Sequence, residues 1–448
     1  MQTNCVRYLL KIEYTKKKGN KMAVDRKIAP VIHDAVDFTY KLPAVSEHML
    51  DNTLSLYWLN AGVQDVVEVN WVFPAGIWYE QKPDVANAVA SLLKNGTSKR
   101  TAHQIHEALE FYGANLKVSA SNDNASVTLY TLTKHLPQLL PVVFEILTDP
   151  IFPQEELDIY KKNMIDRLQV NLRQCEFVAN QKIDALLFGE AHPYGRYTQK
   201  EHIEHLTQED LLAFYKTNYN LNKVKMFMAG KVGETEVKCM NEFFGKTTFS
   251  KNGTATQNFS ITELPAKKYN ILNDPNGVQG AIRIGRLFPN RHHPDFAPMV
   301  VLNTLFGGYF GSRLMSNIRE DKGYTYGIYS SLSPYHNSGA LTIHTEVGRD
   351  VVEAAIKEVY NEMQLLCEAP ASAEELLLIK NYLLGNLLGD LDGPFSIMQR
   401  WRTLILNGLD EAYFNNNIRI YKTITPAELR ALAQKYFTPS DYYEVAVI

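Results

Sequence analysis

An internal repeat constrains the fold of this chain more than any other feature. The segment QIHEALEFYGANLKVSAS in the first half has the same order of helix, glycine turn and strand as RLMSNIREDKGYTYGIYSS in the second half. Each segment is followed by a second strand, SVTLYTLT or GALTIHTEV, and then by an amphipathic helix. A spacing of about 210 residues indicates two copies of one domain rather than a solenoid of short units. The sequence therefore predicts a tandem α+β duplication, each half being a mostly antiparallel sheet packed against helices.

The length of 448 residues agrees with this duplication, because one ordinary core rarely extends over so long a chain. We expect an N-terminal extension at 1–36 that is partly disordered, a first domain at 37–247, a linker at 248–266 and a second domain at 267–448. The linker is predicted from a polar run rich in Thr, Asn and Ser. Within the extension, Met22 follows a basic run and is an alternative start to Met1.

Composition excludes several classes of function. The net charge is −3, and the 46 basic and 49 acidic residues are interspersed, so no basic surface for nucleic acid or an anionic membrane is expected. The 4 cysteines are scattered without CxxC spacing, which argues against a cysteine metal site or a disulfide scaffold and favours a reducing, cytoplasmic location. No apolar run approaches the roughly 18 residues of a membrane span. The N-terminal residues also lack the sustained apolar region of a secretory signal.

The stretch Leu305–Ser331 holds two polar side chains that could do chemistry. Arg319 ends a short helical run, and Tyr326 lies seven residues further on, inside a tyrosine-rich strand. A guanidinium and a phenol both donate hydrogen bonds, as stabilisation of a developing oxyanion requires. Strand alternation predicts that Tyr324 shares a face with Tyr326. The structural alternative is that Arg319 pairs with a nearby acid and that Tyr326 is a core ring.

A glycine cluster precedes this pair. Gly307, Gly308 and Gly311 have no side chains, so the backbone there can approach substrate or another segment closely. The alternative is a tight helix start capped by the hydroxyl of Ser312.

Two pairs of histidines have a spacing that can bind metal. One pair is His103 and His106, and the other is His202 and His205, each at i and i+3 on a predicted helix. Both pairs stand among charged and polar residues, so we interpret them as solvated helix faces rather than ligands.

Three stretches together resemble one peptidase family. They are KNGTSKRTAHQIHEALEFYGANL, HPYGRYTQKEHIEHLTQEDLLAFYKTNY and GGYFGSRLMSNIREDKGYTYGIYSS. From about residue 40 to 448 the chain resembles the M16 family of zinc metallopeptidases, and its half-length subunits in particular. The resemblance implies a tandem duplication of a LuxS/MPP-like metallohydrolase domain.

The resemblance also locates a degenerate zinc site. Active members carry HxxEH before the KNGT-like turn, where two His and a later Glu bind zinc and the Glu of the motif activates water. In this chain Asn87 and Ser91 replace the histidines, and Ala90 replaces the general base. Arg167 stands at the position of the later Glu. An amide, a hydroxyl and a cation do not make a zinc site, so no metal or other cofactor is expected in this chain.

In the second half, the family motif places an arginine and a tyrosine seven residues apart at the scissile carbonyl of the substrate. Residue by residue, these match Arg319 and Tyr326. Gly307, Gly308 and Tyr324 are predicted to contact substrate beside them.

These implications lead to one leading hypothesis and two alternatives. The chain is expected to be the non-zinc subunit of a two-component M16-type peptidase, whose HxxEH-bearing partner holds the zinc and whose substrate is an unstructured peptide. The partner arrangement is a heterodimer or, alternatively, a homodimer, and neither nucleic acid nor a membrane is expected to bind. The second hypothesis is an inactive scaffold or peptide-binding subunit, like the core proteins of the family. The third is a self-sufficient zinc peptidase, which predicts stoichiometric zinc.

Overall fold

The computed structural model describes residues 29, 33–247 and 258–448. Most of the predicted extension at 1–36 and the first part of the predicted linker at 248–266 therefore lie outside the described residues. Within the described ranges, no helix is both long enough and apolar enough to span a bilayer. The cytoplasmic location stays a prediction.

The first half forms a sheet with the strand order β1-β2-β6-β3-β5-β4. Strands β2 and β6 are parallel, and the other neighbouring strands are antiparallel. In chain order its strands and helices are β1 (Ser46–Met49), β2 (Ser55–Asn60), β3 (Val66–Phe73), α1 (Val85–Leu92), α2 (Ala102–Glu110), β4 (Asn115–Ala120), β5 (Ala125–Leu132), α3 (Leu136–Thr148), α4 (Gln154–Asn171), α5 (Cys175–Phe188), α6 (Lys200–Glu204), α7 (Gln208–Asn218), β6 (Lys225–Gly230) and α8 (Glu234–Met240).

The second half forms a sheet with the strand order β7-β11-β8-β10-β9. Two wide helical turns, Thr304–Gly308 and Met315–Asp321, stand between its first helix and strand β9. The strands and helices are β7 (Lys268–Ile271), β8 (Gln279–Leu287), α9 (Phe296–Asn303), β9 (Thr325–Pro334), β10 (Gly339–Gly348), α10 (Val352–Glu368), α11 (Ala373–Asp390), α12 (Pro394–Leu406), α13 (Glu411–Thr423), α14 (Pro426–Tyr436) and β11 (Tyr443–Val447).

The two sheets repeat one topology. The order β2-β6-β3-β5-β4 of the first corresponds strand by strand to β7-β11-β8-β10-β9 of the second. Each sheet has its parallel pair at the same place, β2 with β6 and β7 with β11. The predicted tandem α+β duplication is therefore confirmed. Strands β4 and β9 occupy equivalent positions at sheet edges, and β9 carries Tyr326.

Strand β3 and helix α1 show why these segments form a buried layer. In β3 the alternate residues Val67, Val69, Trp71 and Phe73 are fully buried, as the period of a strand facing a core requires. Helix α1 (VANAVASL) is buried on most of its surface because its side chains are small and apolar. It packs against β4, α4 and α7. A helix with so little polar surface is positioned by its neighbours rather than by solvent.

The two halves exchange one helix each. Helix α5 of the first half packs on β8 and β11 of the second sheet, and α12 of the second half packs on β2 and β6 of the first sheet. One shared core joins Leu59 and Phe227 to Ile397, and another joins Ile183 and Leu187 of α5 to strands β8 and β11. The two sheets thus define two domains, but the cores between them belong to both.

Candidate functional site

Tyr326 lies on an edge strand at a break in the pairing. Strand β9 pairs with β10 on one side only and ends the second sheet. Thr325 pairs with Val347 while Ile328 pairs with Thr345, so two residues of β9 lie opposite the single residue Glu346. This is a β-bulge, which redirects a side chain locally. The ring of Tyr326 is 92% exposed.

Two threonine hydroxyls hold the bulge. The Thr325 hydroxyl oxygen accepts from the backbone N–H of Gly327 at 3.0 Å and lies 2.7 Å from the carbonyl oxygen of Glu346. The Thr345 hydroxyl on β10 donates to the carbonyl of Gly327 at 3.0 Å. Thr345 is only 1% exposed and Thr325 is half-buried, so these bonds are partly shielded from competing water. The bulge is therefore a fixed feature that presents Tyr326 outward.

Arg319 lies in the wide turn that precedes β9, with its guanidinium over an exposed ring. Its Cζ is 4.3 Å from the centroid of Phe310, a cation–π contact at a half-exposed site. The nearest acidic atom is Oε1 of Glu320, 3.9 Å from Nη1, at the outer limit of an ion pair. Surface pairs of this kind contribute little to stability. Within the described part of the chain, the alternative that Arg319 pairs with a nearby acid is therefore met only by this long contact with Glu320.

Tyr324 differs from Tyr326 in its surroundings. Strand β9 begins at Thr325, one residue after Tyr324, and the bulge follows at once. Tyr324 is partly buried and packs against the core of the second half. The expected shared face with Tyr326 is therefore not formed, because regular alternation does not extend to Tyr324. Its contact with substrate stays a prediction.

Packing alone accounts for the glycine at 307. A Cβ on Gly307 would lie 2.7 Å from Ser330 Oγ and 2.9 Å from Ser330 N, so the turn approaches β9 too closely for a side chain. A Cβ on Gly308 would lie 3.1 Å from the carbonyl oxygen of Asn303. The expected cap at Ser312 is absent, since its hydroxyl oxygen is buried without a hydrogen-bond partner. Contact of the two glycines with substrate stays a prediction.

The degenerate zinc window lies on α1 and offers no ligand set. The Asn87 side-chain amide donates to Asp84 Oδ1 at 3.3 Å, Ala90 is buried, and Ser91 is exposed. Arg167 is exposed on α4, the helix that packs against α1. Across the described residues, no three or more His, Cys, Asp or Glu side chains are grouped so that they could hold a metal ion. The residues present do not fit a catalytic zinc.

A buried polar network occupies the start of α1 instead. Glu80 Oε1 accepts from the backbone N–H of Ala86 at 2.9 Å, and Arg196 donates to Glu80 Oε2 at 2.9 Å. The Tyr160 hydroxyl donates to Asp84 Oδ2 at 2.9 Å. Burial raises the pKa of Glu80 to about 7, against the opposing effects of Ala86 N–H and Arg196. Burial raises the pKa of Asp84 as well. The members of this network are adjacent only in the folded chain, so no local sequence pattern indicates it.

The candidate histidines lie on solvated helix faces. His103 and His106 are exposed on α2, on either side of the buried Ile105. His202 Nδ1 accepts from the backbone N–H of Gln199 at 3.1 Å, and His205 Nδ1 lies 2.6 Å from the carbonyl oxygen of Glu201. These local contacts are typical of helix ends.

The structure brings Arg319 and Tyr326 onto one turn-and-strand unit at a sheet edge. Among residues 33–247 and 258–448, no hydrogen bond or ion pair joins either side chain to the Asn87–Ser91 window. An exposed phenol and a weakly paired guanidinium at an open edge can donate to carbonyl oxygens of a bound chain. The arrangement supplies donors but neither a metal nor a general base.

Comparisons with known proteins identify the family of this chain. Residues 59–191 match the family model described as "Insulinase (Peptidase family M16)", and residues 205–383 match "Peptidase M16 inactive domain". A relative in Bacillus subtilis, the uncharacterized zinc protease YmxG, is 22% identical over 88% of this chain and 97% of its own length. An uncharacterized zinc protease of Mycobacterium leprae is 24% identical over 78% of this chain and 79% of its own.

Solved structures share the fold. A structure titled peptidase M16 inactive domain, from Pseudomonas fluorescens, has a TM-score of 0.79 at 21% identity and covers 90% of this chain and 98% of its own. A protease from Helicobacter pylori has a TM-score of 0.82 at 16% identity and covers 91% of this chain and 100% of its own. Because the two family models together match residues 59–191 and 205–383, which is most of the chain, this chain belongs to peptidase family M16.

Proposed function

We propose that this chain is the non-zinc subunit of a two-component M16 peptidase. A partner chain that carries HxxEH supplies the zinc centre, and this chain supplies Arg319 and Tyr326 to the bound peptide. Its substrate is an unstructured peptide, because an extended backbone can add as a strand to a sheet edge.

The exposure of Tyr326 carries the proposal. Most tyrosines bury part of the ring, whereas Tyr326 is 92% exposed on a bulge that two part-buried threonine hydrogen bonds hold in place. Within the described residues its phenol has no hydrogen-bond partner. A fixed, outward-pointing donor without an internal role is what a site completed by another molecule requires.

The chemistry available to the two side chains is limited and specific. The phenol of Tyr326 and the guanidinium of Arg319 can donate to the scissile carbonyl oxygen and to a neighbouring backbone carbonyl, and both donations strengthen as negative charge develops. Water activation has to come from the partner's metal centre, since Ala90 takes the place of the general base in this chain.

The test is hydrolysis of an unstructured peptide by this chain mixed with an HxxEH-bearing M16 chain from the same genome. We expect Tyr326→Phe to lower kcat by about a hundredfold to a thousandfold, as loss of one oxyanion donor does. Tyr329→Phe is the matched control, because it removes a hydroxyl from the same strand at a half-exposed position. Turnover that is unchanged by Tyr326→Phe contradicts the proposed role.

One observation favours an alternative, the inactive scaffold. The Arg319 guanidinium already has a stacking partner in Phe310, and Gly307 is explained by its approach to Ser330. A scaffold role predicts that Arg319→Ala leaves the partner's turnover unchanged while the two chains still associate. Size-exclusion chromatography together with the peptide assay separates the two functions.

A further inference from the structure

A cavity of about 320 Å³ lies at the end of β9, between helices α9, α12 and α13. Leu332 and Pro334 of the edge strand form part of its wall, and Phe296, Leu404 and Phe414 add apolar surface from the helices. It is separate from the Arg319–Tyr326 unit, which lies at the other end of the same strand. Its size is that of a site for one or two amino-acid residues.

The charge in this cavity is unbalanced. Arg291 and Arg400 both line it, and no acidic residue does. Arg400 is paired with Asp390, which lies outside the cavity wall, whereas Arg291 has no ion pair among the described residues. Burial lowers the pKa of Arg291, and the positive charge of Arg400, on the wall of the same cavity, lowers it further. Arg291 is half-buried, and a partly desolvated cation without a counterion is destabilised unless an anion reaches it.

Polar atoms beside the arginines also lack partners. Asn303 and Asn417 line the cavity, and the side-chain oxygen of each is buried without a hydrogen-bond partner. The Tyr413 hydroxyl lies close enough to Arg291 to raise its pKa, but the two form no hydrogen bond of ordinary geometry. A ligand that donates N–H groups would satisfy the amide oxygens, and a ligand that carries a negative charge would pair with the arginines.

The cavity is continuous with a second space that reaches the first half. This neighbour, of about 450 Å³, shares Arg291, Arg400 and Thr403 and extends to Glu68 of β3. Of its two carboxylates, Asp390 is paired with Arg400, and burial raises the pKa of Glu68 against the opposing effect of Arg402. Among the described residues neither carboxylate forms an ion pair with Arg291, so the unpaired positive charge is that of Arg291, which lines both spaces.

We propose that the first cavity binds the C-terminal carboxylate and the last apolar residue of a peptide. A chain end supplies a carboxylate for Arg291 and Arg400 and backbone N–H groups for Asn303 and Asn417 at the same time, which an inorganic anion does not. The apolar wall suits an aliphatic last side chain. The inference rests on the proposed peptide-binding function and adds an end-group preference to it.

Binding of paired probes tests this preference. The first pair is a short unstructured peptide that ends in leucine, as the free acid and as the amide, measured by calorimetry. The second pair, N-acetyl-leucine and N-acetyl-leucinamide, is measured by saturation-transfer NMR and tests the cavity without requiring strand addition. We expect the free acids to bind about tenfold to a hundredfold more tightly than the amides, as a charge-assisted arginine contact implies.

Substitutions of arginine test whether the preference for the free acid over the amide arises in this cavity. Arg291→Gln should abolish the difference between acid and amide, and Arg291→Lys should keep part of it and guards against a folding defect in the first variant. Arg419→Gln is the charge-matched control, because Arg419 is exposed on the same helix as Tyr413. The Arg419→Gln variant should show the same preference for the free acid as the unaltered chain.

Each remaining outcome overturns one statement. Equal binding of the acid and amide of both probe pairs overturns the carboxylate site and leaves the proposed function intact. A preference that survives Arg291→Gln also overturns it. Preference by the small acid without binding of either peptide supports the cavity and overturns the proposed strand addition. Tighter binding of a peptide with an internal glutamate and an amidated end assigns the site to acidic side chains and overturns the chain-end assignment.

Discussion

The two equivalent edge strands, β4 and β9, differ in the regularity of their pairing, and only β9 carries candidate site residues. Strand β4 pairs with β5 in unbroken register from Asn115 with Tyr130 to Ala120 with Ala125. Strand β9 loses its register with β10 opposite Glu346, and the bulge presents Tyr326 to solvent. The same topology thus yields a regular edge in one half and a specialised edge in the other. The difference lies in side-chain hydroxyls rather than in the order of strands.

The largest expected loss of stability comes from a substitution that tests whether the two halves unfold independently. Leu187→Ala removes a buried side chain from α5, which belongs to the first half but packs on the second sheet. We expect a loss of about 2–5 kcal/mol in the free energy of unfolding. Because the cores are shared, denaturant unfolding should remain one transition at a lower midpoint. Two transitions, with only one displaced, would contradict the shared cores.

The buried network of the first half should make the free energy of unfolding depend on pH through Glu80. The pKa of Glu80 is raised to about 7 from 4.5, so the folded chain holds this proton more tightly than the unfolded chain. Its contribution to stability is fully present below pH 4.5 and is lost as the pH rises through about 7. We expect Glu80→Gln to remove about 2–3 kcal/mol of this pH dependence.

Denaturant unfolding of both chains between pH 5 and pH 8 measures most of this difference, because that range covers most of the interval between the unfolded pKa of 4.5 and the folded pKa of about 7. Because the two chains share every other titrating group, the difference in slope reports Glu80. Parallel pH profiles for the two chains would show that Glu80 titrates with an unshifted pKa.

A smaller loss of stability is expected when buried threonines on the equivalent strands β5 and β10 are replaced. Thr345 on β10 makes part-buried hydrogen bonds that hold the bulge, whereas the hydroxyl of Thr131 on β5 is buried without a partner. We expect Thr345→Val to cost about 1–3 kcal/mol and Thr131→Val to be neutral or stabilising. Thermal unfolding of the two variants checks this. Equal losses would mean that the hydroxyl contacts do not set the bulge.

The smallest expected effect is that of Tyr326→Phe on stability. The ring is 92% exposed and its hydroxyl has no partner within the described residues, so the free energy of unfolding should change by less than about 0.5 kcal/mol. The same variant should strongly lower turnover of the mixed subunits. A large loss of stability would assign Tyr326 a structural role.

Most of the repeated fold could be predicted from local sequence. Alternation located β5 and β10 to within two residues, because each strand has one face on a core. The short strands β1, β7 and β11 were not predicted, and neither were the helices after α11. Strands of four or five residues carry too few alternations to be distinguished from loops without their neighbours.

The candidate site residues could be named from the sequence, but their geometry could not be predicted. Arg319 and Tyr326 could be located by motif, yet the bulge depends on Thr345, a residue on another strand. The salt bridge between Glu80 and Arg196 joins residues 116 apart in the chain, so no local pattern indicates it. The cavity between α9, α12 and α13 likewise forms only when distant segments pack together.

The exchange of α5 and α12 has a consequence for fragments of this chain. Each half contributes a helix that completes the other sheet, as two protomers do in a domain-swapped dimer. A chain cut between the two sheets should therefore give two pieces that expose apolar sheet faces alone and recover the native fold on mixing. The covalent connection then acts only to raise the local concentration of two complementary parts. We therefore expect a gene divided between the two sheets to give a functional fold, whereas a division within either sheet would not.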